Sequence, residues 1–160
     1  MSPVLRPARP ADVPVILDLI RALADYEKLT DEVTATPAQL EQSLFPAGGA
    51  AAAAHCVLAE ADGVSAGFAL YFFNYSTFLA RPGLYLEDLF VRPEFRGRGL
   101  GKALLLHLAK LANQRGCGRM EWTVLDWNQP AIDFYESLGA KRMKAWQICR
   151  LTGPDLRQYA

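Results

Sequence analysis

A short stretch of glycines and basic residues can bind an anion: Arg96, Gly97, Arg98, Gly99, Leu100, Gly101 and Lys102. It lies between an apolar run and a long amphipathic segment, where a strand would lead into a helix. Glycines let a ligand approach the backbone, and the N–H groups at the start of a helix attract negative charge. The pattern Arg-x-x-Gly-x-Gly therefore favours a pyrophosphate site without a metal ion over a simple tight turn.

Three nucleotide-binding patterns fail to match this glycine loop. A Walker A loop requires glycine where Arg96 stands and Ser or Thr where Ala103 stands. In a dinucleotide fingerprint the third glycine would replace Lys102, and the loop would follow the first strand of a βαβ fold. The aromatic residues of an RNA-binding RNP motif are also missing.

Two adjacent carboxylates, Glu87 and Asp88, interrupt the apolar run 84–91. Alternation along a strand places their side chains on opposite faces. Burying an unpaired carboxylate costs several kcal/mol, so at least one of them needs a polar role. A site for a cationic amine and a salt bridge to an arginine explain the pair equally well.

Length and charge limit the class of protein. The chain has 160 residues, a net charge of zero and globular composition, which predicts a single domain, 1–160, with its own core. Residues 1–80 hold 4 Lys/Arg against 9 Asp/Glu, and residues 81–160 hold 13 against 8, so an anion site is favoured in the second half. The neutral total argues against a nucleic-acid partner.

No metal site, membrane span or export signal is expected from the sequence. Cys56, Cys117 and Cys149 lack disulfide or zinc spacing, and His55 and His107 are isolated. The most apolar stretch is interrupted by charged residues, and the N-terminal sequence lacks the apolar run of a signal peptide. A cytoplasmic protein is therefore predicted.

Hydrophobic periodicity predicts a mixed α/β protein. The predicted strands are 4–6, 56–60, 65–73, 84–91, 119–125 and 146–151. The predicted helices follow Asp12, Thr36 and Asn128, and a longer one starts at Leu100. Residues 46–54, nearly all Gly and Ala, are predicted to form a loop. An Asp-Gly turn at 62–63 makes 56–60 and 65–73 antiparallel, whereas the helical crossover makes 84–91 and 119–125 parallel.

Several strings together resemble a known superfamily. The Arg-x-x-Gly-x-Gly loop after a Glu-bearing strand, Asn128-Gln129-Pro130 and Phe134-Tyr135 resemble the GNAT superfamily of acetyl-CoA-dependent N-acetyltransferases. The strings at 25–29, 75–77, 85–88 and 124–129 are similar to the diamine (spermidine/spermine) acetyltransferase family, nearest its thialysine N-epsilon-acetyltransferase branch. The resemblance runs from about Arg6 to Leu151. It implies a homodimer and the GNAT fold, a mixed, mostly antiparallel sheet with a central parallel strand pair flanked by helices.

The resemblance also implies roles by position. Tyr135 matches the general acid, and Glu87 matches the residue that orients or deprotonates the amine through water. The implied acetyl-CoA site consists of Leu89, Phe90, Val91, Arg96, Gly97, Arg98, Gly99, Leu100, Gly101, Lys102, Asn128 and Tyr135. The implied amine site consists of Tyr26, Glu27, Glu87, Asp88 and Trp146. No metal is implied.

These residue types suit acetyl transfer to an amine. A primary amine with a pKa near 10 is protonated at neutral pH, so a carboxylate such as Glu87 must attract the ammonium and accept its proton. Backbone N–H groups of a strand suit the oxygen on which negative charge develops, and a phenol such as Tyr135 can protonate a departing thiolate.

The first hypothesis is therefore acetylation of a primary amine on a small molecule. Lys141, Arg142 and Lys144 would repel a long polycation if they line its path, which favours a lysine-like or thialysine-like amine over spermidine and spermine. Two alternatives remain. One is a protein lysine or N-terminal acetyltransferase, with a peptide groove shaped by the loop 47–54. The other is a sensor that binds acetyl-CoA without catalysis, against which Glu87 and Tyr135 argue.

Overall fold

The computed structural model describes residues 3–160. The chain divides into an N-terminal unit that ends at Thr123 and a C-terminal unit, Val124–Ala160. The strands, all in the N-terminal unit, are β1 (Val4–Pro7), β2 (His55–Ala61), β3 (Val64–Ser76), β4 (Arg81–Val91) and β5 (Arg119–Glu121). Its helices are α1 (Val13–Tyr26), α2 (Pro37–Leu44) and α3 (Leu100–Gln114), and the C-terminal unit contains α4 (Gln129–Ser137) and α5 (Gly153–Arg157).

The strands form one mixed sheet in the order β1-β2-β3-β4-β5. The first four are antiparallel neighbours, and β5 is parallel to β4 because α3 carries the chain back across the sheet. The predicted mixed, mostly antiparallel sheet flanked by helices is confirmed. The parallel pair lies at one edge of the sheet, since no strand beyond β5 is formed within residues 3–160.

The main core lies between one face of the sheet and helices α1 and α2. Leu58, Phe68 and Phe90 are direct cross-strand neighbours and form an apolar row on this face. The helices cover the row with Ile16, Leu19, Leu23 and Leu44. A buried Leu or Phe side chain contributes roughly 1.5–3 kcal/mol, so this layer anchors the sheet. Helix α3 also packs against the sheet, at β2, β3, β4 and β5.

Local sequence signals set several element boundaries as predicted. Thr36 caps α2, and its hydroxyl accepts the backbone N–H of Gln39 while the Gln39 side chain accepts the N–H of Thr36. The turn between β2 and β3 has positive φ at both Asp62 (53°) and Gly63 (80°), the conformation that an Asp-Gly pair favours. The helix predicted after Asn128 is confirmed as α4.

Three boundary predictions are corrected. Residues 146–151 form neither a strand nor a helix, and Trp146 and Ile148 are 78% and 70% exposed, because strand-forming side chains make a strand only beside a hydrogen-bonding partner. The strand predicted over 119–125 ends at Glu121. The carboxylate of Asp12 accepts hydrogen bonds from Arg6 and from the backbone N–H of Arg9, so it does not cap α1.

We predict that Gly67→Ala lowers the free energy of unfolding by about 2 kcal/mol. A Cβ atom at this position in β3 would lie 2.6 Å from the backbone oxygen of Phe90, which the β3–β4 pairing holds in place. Gly101→Ala is the matched control, because its Cβ would make only an ordinary contact at 3.8 Å with Val91. Urea unfolding followed by circular dichroism checks both, and equal effects of the two changes would contradict the packing argument.

Candidate active site

The site begins at the point along β4 where its pairing with β5 ends. β5 pairs with β4 through Gly83, Leu84 and Tyr85, and then ends at Glu121. Beyond Tyr85, β4 continues to Val91 beside β3 alone, within the part of the chain that the structure describes. Backbone groups along such an edge are available to an extended ligand. The predicted donor-binding residues Leu89, Phe90 and Val91 belong to this open stretch.

A β-bulge at Glu87 starts the open stretch. Adjacent residues Leu70 and Tyr71 of β3 pair with Asp88 and Leu86, so Glu87 is an extra residue in β4. The regular alternation on which the sequence prediction for Glu87 and Asp88 relied is therefore interrupted here. Asp88 shares the face of Leu70 and is half-buried, whereas Glu87 is exposed.

Three carboxylates form an acidic cluster: Glu27, Glu87 and Asp88. Loss of water on burial raises the pKa of Asp88 to about 6, and the negative charges of Glu87 and Glu27 add to this effect. Burial also raises the pKa of Glu27, which follows the last residue of α1. The cluster therefore has an unfavourable excess of negative charge.

Among residues 3–160, no protein cation pairs with this acidic cluster. Within residues 3–160, the structure records neither an ion pair nor a hydrogen bond to these three carboxylates. Of the two roles that the sequence left open, the salt bridge to an arginine is thus not formed. A half-buried carboxylate without a counter-charge can accept an ammonium group from a ligand.

The glycine loop provides an anion cradle at the start of α3. Gly97 and Gly99 have φ values of 73° and 81°, a conformation that favours glycine, and a Cβ on either would meet no atom within 4 Å. Gly99 is the N-cap of α3, whose first N–H groups have no carbonyl partner inside the helix. The loop is therefore open on one side and presents N–H groups that suit a phosphate.

The two arginines of the loop are held by protein groups. Nε of Arg96 donates to the backbone oxygen of Val91 at 2.9 Å, and its guanidinium lies 4.7 Å from the ring centroid of Tyr26. Arg98 donates to both carboxylate oxygens of Asp62, at 2.7 and 3.1 Å. The contacts of Arg96 with Tyr26 and of Arg98 with Asp62 were not predictable, because nothing in the spacing of residues far apart in sequence indicates that they meet.

The remaining predicted site residues lie in the C-terminal unit. Asn128 is the N-cap of α4, and its side chain accepts the backbone N–H of Ala131. Tyr135 lies in α4 with its ring 5.4 Å from that of Phe134, measured between centroids. Trp146 is mostly exposed. The structure thus brings predicted site residues together within each unit: the acidic cluster, Tyr26 and the glycine loop in one, and the α4 residues in the other.

Among residues 3–160, no group of three or more His, Cys, Asp and Glu residues gathers with the geometry of a metal site. Of the helices that the structure describes, none has both the length and the apolar character needed to cross a membrane.

Comparison with known proteins identifies the family. Residues 18–140 match the acetyltransferase (GNAT) family. The chain is 38% identical to thialysine N-epsilon-acetyltransferase of Bos taurus, over 98% of this chain and 96% of the relative. It is 36% identical to L-ornithine N5-acetyltransferase of Arabidopsis thaliana, over 96% and 86%. An integron cassette protein of V. cholerae, 25% identical, superposes with a TM-score of 0.79 over 99% of this chain and 98% of that chain. The chain belongs to the acetyltransferase (GNAT) family and is an N-acetyltransferase.

Proposed function

We propose that this chain transfers an acetyl group from acetyl-CoA to the primary amine of a small molecule. The observation that carries the proposal is the acidic cluster, which pairs with no cation in the described part of the chain and lies at the start of the open edge of β4. An ammonium group is a small cation, so it could neutralise the cluster without needing a large cavity. Its nitrogen would then stand beside the strand edge that we assign to the acetyl donor.

The open edge and the glycine loop fit the parts of acetyl-CoA. When bound, acetyl-CoA supplies an acetyl group activated as a thioester. The backbone groups of Leu89, Phe90 and Val91 hold the pantetheine arm and donate to the acetyl oxygen, which gains negative charge during attack. The N–H groups of the loop bind the pyrophosphate, and Lys102 adds positive charge beside them. In this proposal Asn128 flanks the donor near its sulfur.

In this proposal Glu87 acts as the general base and Tyr135 as the general acid. Glu87 is exposed at the bulge, so water can reach its carboxylate and relay the proton from the attacking amine. Tyr135 is a phenol whose ordinary pKa of about 10 is close to that of a thiol, so it can protonate the departing sulfur. The cluster partner Asp88 attracts the ammonium, while Tyr26, Glu27 and Trp146 line the amine site.

The names of two relatives support an amino acid with a side-chain amine as the acceptor. The thialysine and L-ornithine enzymes are both named for acetylation at such a nitrogen. The basic segment after α4 points the same way, because Lys141 and Lys144 are exposed and only Arg142 is paired, with Glu136. Uncompensated lysines disfavour a long polycation. A homodimer stays a prediction from the resemblance, and a cytoplasmic location stays a prediction from the sequence.

We predict that thialysine, lysine or ornithine is acetylated with a kcat/KM at least about tenfold above that of spermidine, the scale of one discriminating contact. The measurement is release of CoA thiol from acetyl-CoA, with putrescine and a lysine-containing peptide in the same panel. Equal values for spermidine and the amino acids would contradict the acceptor class. Activity on the peptide alone would replace it with the protein acetyltransferase alternative.

We predict that Glu87→Gln and Tyr135→Phe each lower kcat by about 10²-fold, since each removes a general acid–base group and keeps its shape. Glu41→Gln and Tyr159→Phe are the matched controls, because both residues are exposed and neither is assigned to the site. Steady-state kinetics with the best amine measure the effect. Retention of kcat within threefold in either site variant would refute that residue's role.

We predict that Asp88→Asn stabilises the protein and weakens amine binding. The pKa of Asp88 is raised to about 6, so its contribution to the free energy of unfolding is most favourable below pH 3.8 and falls as pH rises through 6. The variant should gain about 1–2 kcal/mol at pH 8 and little at pH 4. The acid limb of kcat/KM near pH 6 should also be lost.

Chemical unfolding at the two pH values and a pH profile of kcat/KM test this prediction. Asp155→Asn is the control, because this aspartate is exposed and distant in sequence from the site. A variant that is less stable at pH 8 than the parent protein would show that Asp88 has a structural partner instead.

A further inference from the structure

The contact between Arg96 and Tyr26 joins the donor loop to the amine site. Arg96 is the first residue of the glycine loop, and Tyr26 ends α1 immediately before Glu27 of the acidic cluster. The Arg96 guanidinium lies 4.7 Å from the centroid of the Tyr26 ring and 5.6 Å from that of Phe90. Phe90 is buried in the core, so the guanidinium lies over a fixed aromatic surface and a partly exposed one.

The Arg96 side chain still has donors for an anion. A guanidinium carries five N–H donors, and Nε donates to the Val91 oxygen at 2.9 Å. For the terminal nitrogens the structure records no hydrogen-bond partner within residues 3–160. The residue is exposed. One planar group can therefore stack on Tyr26 and donate to a phosphate beside the loop at the same time.

We propose that Arg96 is a positioning residue that couples the two substrate sites: an anion bound at the glycine loop fixes its guanidinium, and the guanidinium fixes Tyr26 and the turn that carries Glu27. The inference rests on the proposed donor site at the loop. A cation held over an aromatic face loses its favourable contact if the ring moves away, so fixing the cation restrains the ring. Donor binding would thereby order one wall of the amine site.

The turn after α1 can report this coupling. The N–H groups of Glu27 and Leu29 donate to Leu23 and Ala24 at 2.9 and 2.8 Å, and Lys28 has a φ of 61°, which ends the helix. These backbone amides exchange with solvent only when the turn opens. Restraint of Tyr26 therefore slows their exchange, whether or not an amine is present.

The experiment measures amide hydrogen exchange of residues 27–29 with and without saturating CoA, in the full chain. We expect CoA to slow exchange by about fivefold in the parent protein, the lower end of ordinary coupling between sites. Tyr26→Leu should abolish the slowing, because the aromatic face is lost. Tyr26→Phe should retain the slowing, because phenylalanine keeps the aromatic face. The contrast between the two variants then assigns the effect to the aromatic ring.

Arg96→Lys is the second variant, used also if Tyr26→Leu fails to fold. Lysine keeps the positive charge but lacks the planar guanidinium, so CoA should still bind. Residues 27–29 should then exchange as fast with CoA as they do without it. Calorimetry of CoA binding accompanies each exchange measurement, so that saturation is known for every variant.

The outcomes separate this inference from the proposed function. CoA binding without slowed exchange, or equal slowing in Tyr26→Leu, overturns the coupling and leaves the acetyltransferase proposal standing. No binding of CoA to the parent protein overturns the donor site, and the coupling with it. Slowing that depends on the ring and on the guanidinium supports the coupling even if every amine in the acceptor panel proves inactive.

Discussion

A strand that keeps only one hydrogen-bonded neighbour leaves half of its backbone groups to be satisfied by something else, and the second part of β4 is such a strand. The constraint originates in the short pairing with β5, which stops at Tyr85. The bulge at Glu87 follows at once and puts an extra acidic residue where regular pairing would leave none. The open edge, the acidic cluster and the approach to the glycine loop all depend on this one departure from a regular sheet.

The acidic cluster is unfavourable for folding, so the neighbouring core must hold it. Asp88 follows Cys56 and Leu70 in one cross-strand row, next to the row of Leu58, Phe68 and Phe90. The packed row keeps β4 in place while burial and repulsion raise the pKa of Asp88. A carboxylate that costs stability without its ligand gains most when an ammonium arrives. If the cluster binds the amine as proposed, affinity for the amine and stability of the free protein are set by the same atoms and oppose each other.

The sequence predicted the features that are determined by residues adjacent in the chain. The capping box at Thr36, the Asp62-Gly63 turn and the strand–loop–helix order around the glycines are local patterns, and the structure contains each of them. The bulge at Glu87 was not predictable, because it arises from the register between β3 and β4. The strand expected at 146–151 was wrong for the related reason that strand propensity needs a partner.

The charge asymmetry of the sequence likewise changes meaning once partners are known. The second half of the chain carries the basic excess that favoured an anion site. The structure pairs two of those basic residues with acids of the first half: Arg98 with Asp62 and Arg92 with Asp18. In the proposed function, the anion at the loop is bound chiefly by the backbone N–H groups at the start of α3, with Lys102 and the terminal nitrogens of Arg96 in support. Recognition of this kind depends on geometry more than on net charge, so a position that fixes the geometry, such as Tyr26 beneath Arg96, matters although it bears no charge itself.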